Sequence, residues 1–256
     1  MRILISNDDG IDAPGIAALV EAAKDLGDVV VVAPDSVQSG AGHGITVSHP
    51  LTAKRHDFRM ADGSSVEAYS VNGRPADCVR LGVRKLVTGP VDLVLSGINK
   101  GANDGVCVFY SGTVAAAAEA CLLGIPAVAL SAQSEPGGVQ FERAGELAGP
   151  LVEKLIGQGL VVGDFLNVNF PRLSKPEFPV GVRVARQNRA ELKDYYETIS
   201  DDGTETIYQL GPDYDTGHDG DDTDSHALRN GYITVTPLRI DMTAHDRLGR
   251  WDALNE

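Results

Sequence analysis

Short apolar runs alternate with helix-length patterned stretches over the first two thirds of this 256-residue chain, and that alternation constrains the fold more than any other feature. Val29-Val30-Val31-Val32-Ala33 is the purest run. It has no polar side chain, as expected of a strand covered on both faces. Ile3 to Ser6, Val66 to Val71, Val91 to Gly97, Ala127 to Ser131 and Phe165 to Phe170 read as further strands. Between them lie helical patterns. Ala13-Pro14-Gly15 opens one that runs through Ile16, Leu19, Val20, Ala23 and Leu26, with Gly27 placed to end it. Thr113 to Leu123 is Ala-rich and strongly helix-forming, and it stops at Gly124 ahead of Pro126. Glu142 to Ile156 is the third. Strand and helix in alternation predict βαβ units and an α/β fold with a mostly parallel sheet flanked by helices.

The pattern changes after Pro171. Prolines 171, 176 and 179 interrupt it, and no long helical period follows. Val182 to Ala185 and Tyr232 to Leu238 read as strands, with an acidic, Gly-rich stretch between them. The chain therefore divides into a core over residues 1–171 and a hairpin-rich C-terminal extension over residues 172–256, not an independent second domain.

The formal net charge is −14, which argues against a nucleic-acid polymer or an anionic membrane as partner, since both need a basic surface. The acidity is concentrated: from Ser200 to His226 there is no Lys or Arg. Cys78, Cys107 and Cys121 are widely spaced and form no C-x-x-C or Cys/His pattern, which fits a reducing compartment better than a disulfide framework. The N-terminal apolar run meets Asp8 and Asp9 too early for a secretory leader, and no apolar stretch has membrane-span length. A cytoplasmic protein without membrane association is the expectation.

In a parallel sheet, ligands bind outside the carboxyl ends of the strands. Four segments fall at such places. Asn7-Asp8-Asp9-Gly10 presents two adjacent carboxylates, whose repulsion a cation or a shared proton would offset. A hard divalent metal suits such oxygen ligands; a solvated turn is the equally weighted alternative. Pro34 to Gly44 supplies Ser39, whose hydroxyl is a further oxygen donor. Its Gly40, Gly42 and Gly44 are spaced G-x-G-x-G, so they make neither a dinucleotide fingerprint nor a P-loop. His43 in that loop reads as structural, having no partner at a known spacing. Ser96 to Gly105 offers the amides of Asn99 and Asn103, or simply a turn. Tyr110-Ser111-Gly112-Thr113 leads into the Ala-rich helix, where free backbone N–H groups and the dipole favour an anion such as phosphate. Plain N-capping by Ser111 is the commoner use of such a segment. No G-x-S-x-G elbow is present, so a serine hydrolase has little support. Asp213 to Asp224 resembles a calcium loop only superficially, because Gly217 stands where a ligand belongs; a solvated acidic loop is expected there.

Taken in order, these segments resemble the SurE family of metal-dependent acid phosphatases acting on nucleoside monophosphates. The resemblance is carried by Ile3-Leu4-Ile5-Ser6-Asn7-Asp8-Asp9-Gly10 with Ala13-Pro14-Gly15, by Ala33-Pro34-Asp35 with Ser39-Gly40, and by Leu95-Ser96-Gly97-Ile98-Asn99 with Gly101, Asn103 and Gly105. It continues through Tyr110-Ser111-Gly112-Thr113-Val114, Asn167-Val168-Asn169 with Pro171, Thr223-Asp224, and Thr234-Val235-Thr236-Pro237-Leu238 followed by Asp241. Where the family usually has Gly-His-Ser-Ile-Thr, this chain reads His43-Gly44-Ile45-Thr46 and lacks one hydroxyl. The resemblance implies a Rossmann-like core and a divalent cation, Mg²⁺ or Mn²⁺, held by Asp8, Asp9, Ser39 and Asn99. It also implies a phosphate near Asn103 and the Ser111-Gly112-Thr113 helix start. It implies a C-terminal extension exchanged between subunits of a homodimer or homotetramer. The expected reaction is that of a 5'-nucleotidase: hydrolysis of a nucleoside monophosphate to nucleoside and phosphate. Asp8 and Asp9 act as catalytic carboxylates in it. Water is the expected nucleophile, since the adjacent pair lacks the one-residue separation of aspartyl-phosphate phosphatases. The alternatives are a phosphatase of sugar phosphates or polyphosphate, and a nucleotide-binding sensor without turnover.

Overall fold

A computed structural model describes residues 1–211 and 215–254. In chain order the elements are β1 (Arg2–Ser6), α1 (Pro14–Ala23), β2 (Asp28–Pro34), β3 (Ala53–Arg55), β4 (Phe58–Arg59), β5 (Ser65–Val71), α2 (Pro75–Leu81), β6 (Leu93–Lys100), α3 (Gly112–Leu122), β7 (Ala127–Ala132), α4 (Phe141–Gly157), β8 (Asp164–Phe170), β9 (Gly181–Val184), β10 (Tyr196–Asp201), β11 (Thr206–Leu210), α5 (Asp224–Arg229) and β12 (Tyr232–Arg239). Short 3₁₀ turns cover Gly105–Phe109 and His245–Leu254.

The apolar runs become the interior strands of one mixed sheet in the order β3-β5-β2-β1-β6-β7-β8-β12-β9, with β4 also paired to β5. From β5 to β8 every neighbour is parallel. Both faces are covered, so each strand splits its side chains between two cores. Ile3, Ile5, Val31, Leu95 and Leu130 pack beneath α1 and α4. Leu4, Val30, Val32, Val94 and Ala129 pack beneath α2 and α3. This is why the strands read as continuous apolar runs and not as alternation.

The connections β5–α2–β6 and β6–α3–β7 step across the sheet in one direction over the α2/α3 face. The step β7–α4–β8 continues in that direction over the opposite face, because α4 packs against α1. That crossover therefore has the opposite hand to its neighbours, a rare departure from the right-handed rule. Strand order reverses at β1, which lies between β2 and β6. A reversal of this kind opens a crevice at the carboxyl ends of the strands, and Asn7 to Gly10 leave β1 into it.

Besides the short elements β3, β4 and α2, to which the sequence pattern assigns no element, three details differ from the sequence expectation. Strand β6 does not stop at Gly97 but continues to Lys100, through a register shift against β7 between Ser96 and Asn99. Gly97 makes this passage at φ 134°, and a Cβ there would lie 2.1 Å from the Leu130 carbonyl oxygen, so no other residue fits. The six-residue helix α5 is the second addition. Third, within the C-terminal part, β12 and β9 join the main sheet, β12 antiparallel to β8, while β10 and β11 form a separate hairpin. Asp213 and Tyr214, at the start of the stretch compared with a calcium loop, lie outside the described residues.

Candidate active site at the carboxyl ends of β1 and β6

Asp8 is buried where β1 ends, against the first turn of α3. Thr113 donates twice to it: its hydroxyl to Oδ1 at 2.5 Å and its backbone N–H to Oδ2 at 3.1 Å. The approach is close because residue 112 has no side chain. A Cβ on Gly112 would stand 2.7 Å from the Asp8 Cβ and 3.0 Å from both Asp8 Oδ2 and Pro75 Cγ. Burial pushes the Asp8 carboxyl above its ordinary pKa, and the neighbouring charge of Asp9 pushes it further, against the lowering effect of the Thr113 bonds. The amide of Asn7 holds the turn by donating to the Gly10 carbonyl at 2.8 Å. Its own oxygen is buried with no hydrogen-bond donor among the described residues.

The other candidate residues gather around this pair through backbone contacts. Asp9 Oδ2 accepts from the Lys100 N–H at 3.0 Å, which sets Asn99 beside it at the end of β6. The Asn99 amide N–H donates to the Gly101 carbonyl at 2.8 Å, leaving its oxygen as the free donor atom for a cation. The Gln38 N–H donates to the Asp8 carbonyl at 2.7 Å, which places exposed Ser39 next to the same strand end. A cavity of about 390 Å³ opens here, lined by Asp9, Gly10, Asp12, Ser36, Lys100 and Phe141 among others. A larger groove of about 950 Å³ runs between α3 and β12, but it contains neither carboxylate of the pair, so the smaller cavity is the one that concerns this site.

Ser111 does cap α3: its hydroxyl accepts from the Val114 N–H at 3.0 Å. Asn103 lies on the far side of β6. Its side chain donates to Ser131 at 2.8 Å, its N–H donates to the Asn169 side-chain oxygen at 2.7 Å, and its carbonyl accepts from Asn167 at 2.7 Å. Among the described residues no hydrogen bond joins Asn103 to Asp8, Asp9 or α3.

Two buried acids that organise the site, Glu119 and Asp77, have no part in the sequence reading; a third, Asp224, enters it only through the family resemblance and as the end of a loop expected to be solvated. Glu119, on α3, is almost wholly buried. It pairs with His43 at 3.0 Å and with Arg80 at 2.7 Å, tethering the Gly-rich loop. This gives His43 the structural role expected of it. Asp77, on α2, accepts from Thr46 twice and from the Arg74 N–H; an acid at the third position of a helix beginning Arg74-Pro75 was its one sequence signal. Asp224 has no exposure and accepts from the N–H groups of Gly105, Asn188 and Ser225 at 2.8–2.9 Å. It fastens the C-terminal part to the loop after Asn103. Burial pushes the neighbouring Asp104 carboxyl up, with the charge of Asp224 adding to the effect.

The donor set around the cleft consists of oxygens: two carboxylates, an amide oxygen and a hydroxyl. That chemistry suits Mg²⁺ or Mn²⁺ and not a thiophilic ion. A buried carboxylate beside a second carboxylate, with an unpaired amide oxygen next to them, also fits a bound cation that neutralises the pair.

A family model described as "Survival protein SurE" matches residues 3–194. The chain is 44% identical to "5'-nucleotidase SurE 1" of Thermus thermophilus, over 100% of this chain and 98% of that protein. It is 45% identical to "5'-nucleotidase SurE" of Deinococcus radiodurans, over 97% of this chain and 90% of that protein. The crystal structure of the SurE protein from Aquifex aeolicus superposes with a TM-score of 0.83 at 38% identity, over the whole of both chains.

Proposed function

The chain belongs to the SurE family, and from that premise we propose that it is a divalent-metal-dependent phosphatase hydrolysing nucleoside monophosphates to nucleoside and phosphate. Its named relatives make it a phosphatase-type hydrolase. The observation that carries the finer reading is the pair Asp8–Asp9 at the end of β1, with Asp8 pressed into the N-terminus of α3.

In this reading Asp8, Asp9, Ser39 and Asn99 hold Mg²⁺ or Mn²⁺. When bound, the cation supplies Lewis-acid polarisation of the phosphoryl group. The remaining work belongs to the chain. Thr113 fixes both oxygens of Asp8 in one orientation, which disfavours Asp8 as an attacking nucleophile and supports water attack. Asp9 is half-buried and uses only one oxygen on Lys100, so the other can orient the water and take its proton. The P–O bond to the leaving group breaks as the water oxygen bonds to phosphorus, and the departing oxygen takes a proton from solvent to leave as the nucleoside hydroxyl. The start of α3 at Ser111, Gly112 and Thr113, with Asn103 beyond it, lies against the phosphate and offsets its charge. The cavity beside Asp9 falls within the size range of small-molecule sites.

The same reading assigns the metallophosphatase core to residues 1–171 and makes 172–256 an extension exchanged between subunits of a homodimer or homotetramer. Support comes from the β10–β11 hairpin, which carries Tyr196, Ile199, Tyr208 and Leu210 exposed. Three buried cysteines suit the reducing cytoplasm, and among the described residues no helix is long and apolar enough to cross a membrane.

A substrate panel tests the reading. With Mn²⁺ present, phosphate release from nucleoside 5'- and 3'-monophosphates is expected to exceed release from sugar phosphates and polyphosphate. Faster turnover of sugar phosphates or polyphosphate would reassign the substrate. Tight nucleotide binding with no release from any substrate would make the protein a sensor.

A further inference from the structure

Outside the Asp8–Asp9 cleft, His218, Asp221 and His226 bring their ligand atoms within 4.8 Å of one another. The two imidazoles converge on a single oxygen: His218 Nε2 lies 3.5 Å and His226 Nδ1 lies 3.4 Å from Asp221 Oδ1. Both separations are too long for a charge-assisted hydrogen bond, which runs about 2.7–2.9 Å. They match instead the edge of a ligand tetrahedron. Ligand atoms roughly 2.0–2.1 Å from a tetrahedral ion stand about 3.3 Å apart. The two rings also meet in a tilted contact, 5.7 Å apart at 50°, which holds both imidazoles on the same side of the loop.

The loop that presents them is tied down at several points. Arg186 binds Asp219 and Asp222, each at 2.8 Å, and Arg189 binds Asp219 at 3.1 Å, so both acids flanking Asp221 are paired with guanidinium groups while Asp221 is left to the histidines. Thr223 caps α5, accepting from the His226 N–H at 3.3 Å and donating to the Gly220 carbonyl at 2.8 Å. Asn188 and Arg229 hold the carbonyls of Thr216 and Gly217 at 2.6 and 2.8 Å. Arg186, Arg189 and Arg229 pair with Asp219, Asp222 and Asp215 around the triad, which leaves Asp221 as the acid facing the two imidazoles.

We propose that His218, Asp221 and His226 form a binding site for a borderline divalent transition ion of the Zn²⁺ class, separate from the oxygen-ligand cleft. Two imidazole nitrogens and one carboxylate select such an ion over Mg²⁺ or Ca²⁺, which take oxygen ligands. Three protein ligands leave a fourth position for water. Bound there, the ion joins the acidic loop to α5, the helix whose Asp224 fastens the loop after Asn103.

Zn²⁺ titration of the untagged full-length protein in excess Mg²⁺, read by competition with a chromophoric chelator, tests this. The expected result is one Zn²⁺ per chain. Affinity should fall roughly tenfold or more in His218→Ala and in His226→Gln and stay unchanged in Asp8→Asn. His218 is exposed, so its variant folds even if the α5 variant does not. With Co²⁺ in place of Zn²⁺, a visible absorption band of tetrahedral intensity should appear and be lost in His218→Ala. Absence of Zn²⁺ binding overturns the proposal. So does binding that survives His218→Ala, or that is lost in Asp8→Asn instead.

Discussion

Asp8 is the residue on which opposing effects meet. Burial and the charge of Asp9 raise its pKa, while two bonds from Thr113 favour the ionised form. The raising effects prevail. Between the ordinary carboxylate pKa and the raised value, the folded protein keeps a proton that the unfolded chain has released. Without a divalent cation, stability should therefore fall as pH rises through that window. Asp8→Asn should flatten this dependence and make the metal-free protein more stable at neutral pH. Denaturant unfolding in chelator from about pH 4 to 7 checks both points, and an unchanged pH profile in the variant would count against them. The paired carboxylates were legible in the sequence because adjacency alone makes two acids conspicuous. The burial of Asp77, Glu119 and Asp224 was not. Their burial is decided by partners 31, 76 and 119 residues away along the chain, and nothing local marks an acid as interior.

At the scale of the element, the N-terminus of α3 and the end of β6 build the site together. The helix start is pressed on Asp8 through Gly112, where the space for a Cβ is already filled. Gly112→Ala should push the helix from the carboxylate by a fraction of an ångström to an ångström. A displacement of that size costs about 10²-fold in rate when it falls on aligned groups. Initial rates, with circular dichroism to show that the helix content is kept, measure this; full activity in Gly112→Ala would mean that the contact does not matter. The long helices and buried strands were readable because each satisfies its own period and terminators. The passage of β6 beyond Gly97 was not, since glycine ordinarily ends a strand pattern, and here it is the one residue that lets the strand pass Leu130 and deliver Asn99. Helix α5 escaped notice because six residues are too few for a period; its capping by Thr223 and the buried Asp224 hold it in place.

At the scale of the whole molecule, the reversal of strand order at β1 gathers segments from residues 8, 39, 99 and 112 at one crevice. The sequence announced parallel βαβ units, but strand order and the reversed hand of the β7–α4–β8 crossover are set by which helix faces pack together, and no local pattern encodes that. The exposed apolar residues of β10–β11, with Trp251 and Leu254 beyond them, form surface that a second copy is expected to cover. Light scattering should give the full-length chain a dimer or tetramer mass. Replacing residues 195–211 by a short Gly-Ser linker should reduce that mass. A monomer mass for the intact protein would contradict the exchanged extension. Whether the Asp8–Asp9 cleft acts through a divalent cation is read from phosphate release from a nucleoside 5'-monophosphate after chelation and after Mn²⁺ or Mg²⁺ is restored. Activity should be lost on chelation and recovered with the cation in the wild type, and not recovered in Asp8→Asn. Activity that persists in chelator, or a fully active Asp8→Asn, would contradict a cation-dependent cleft.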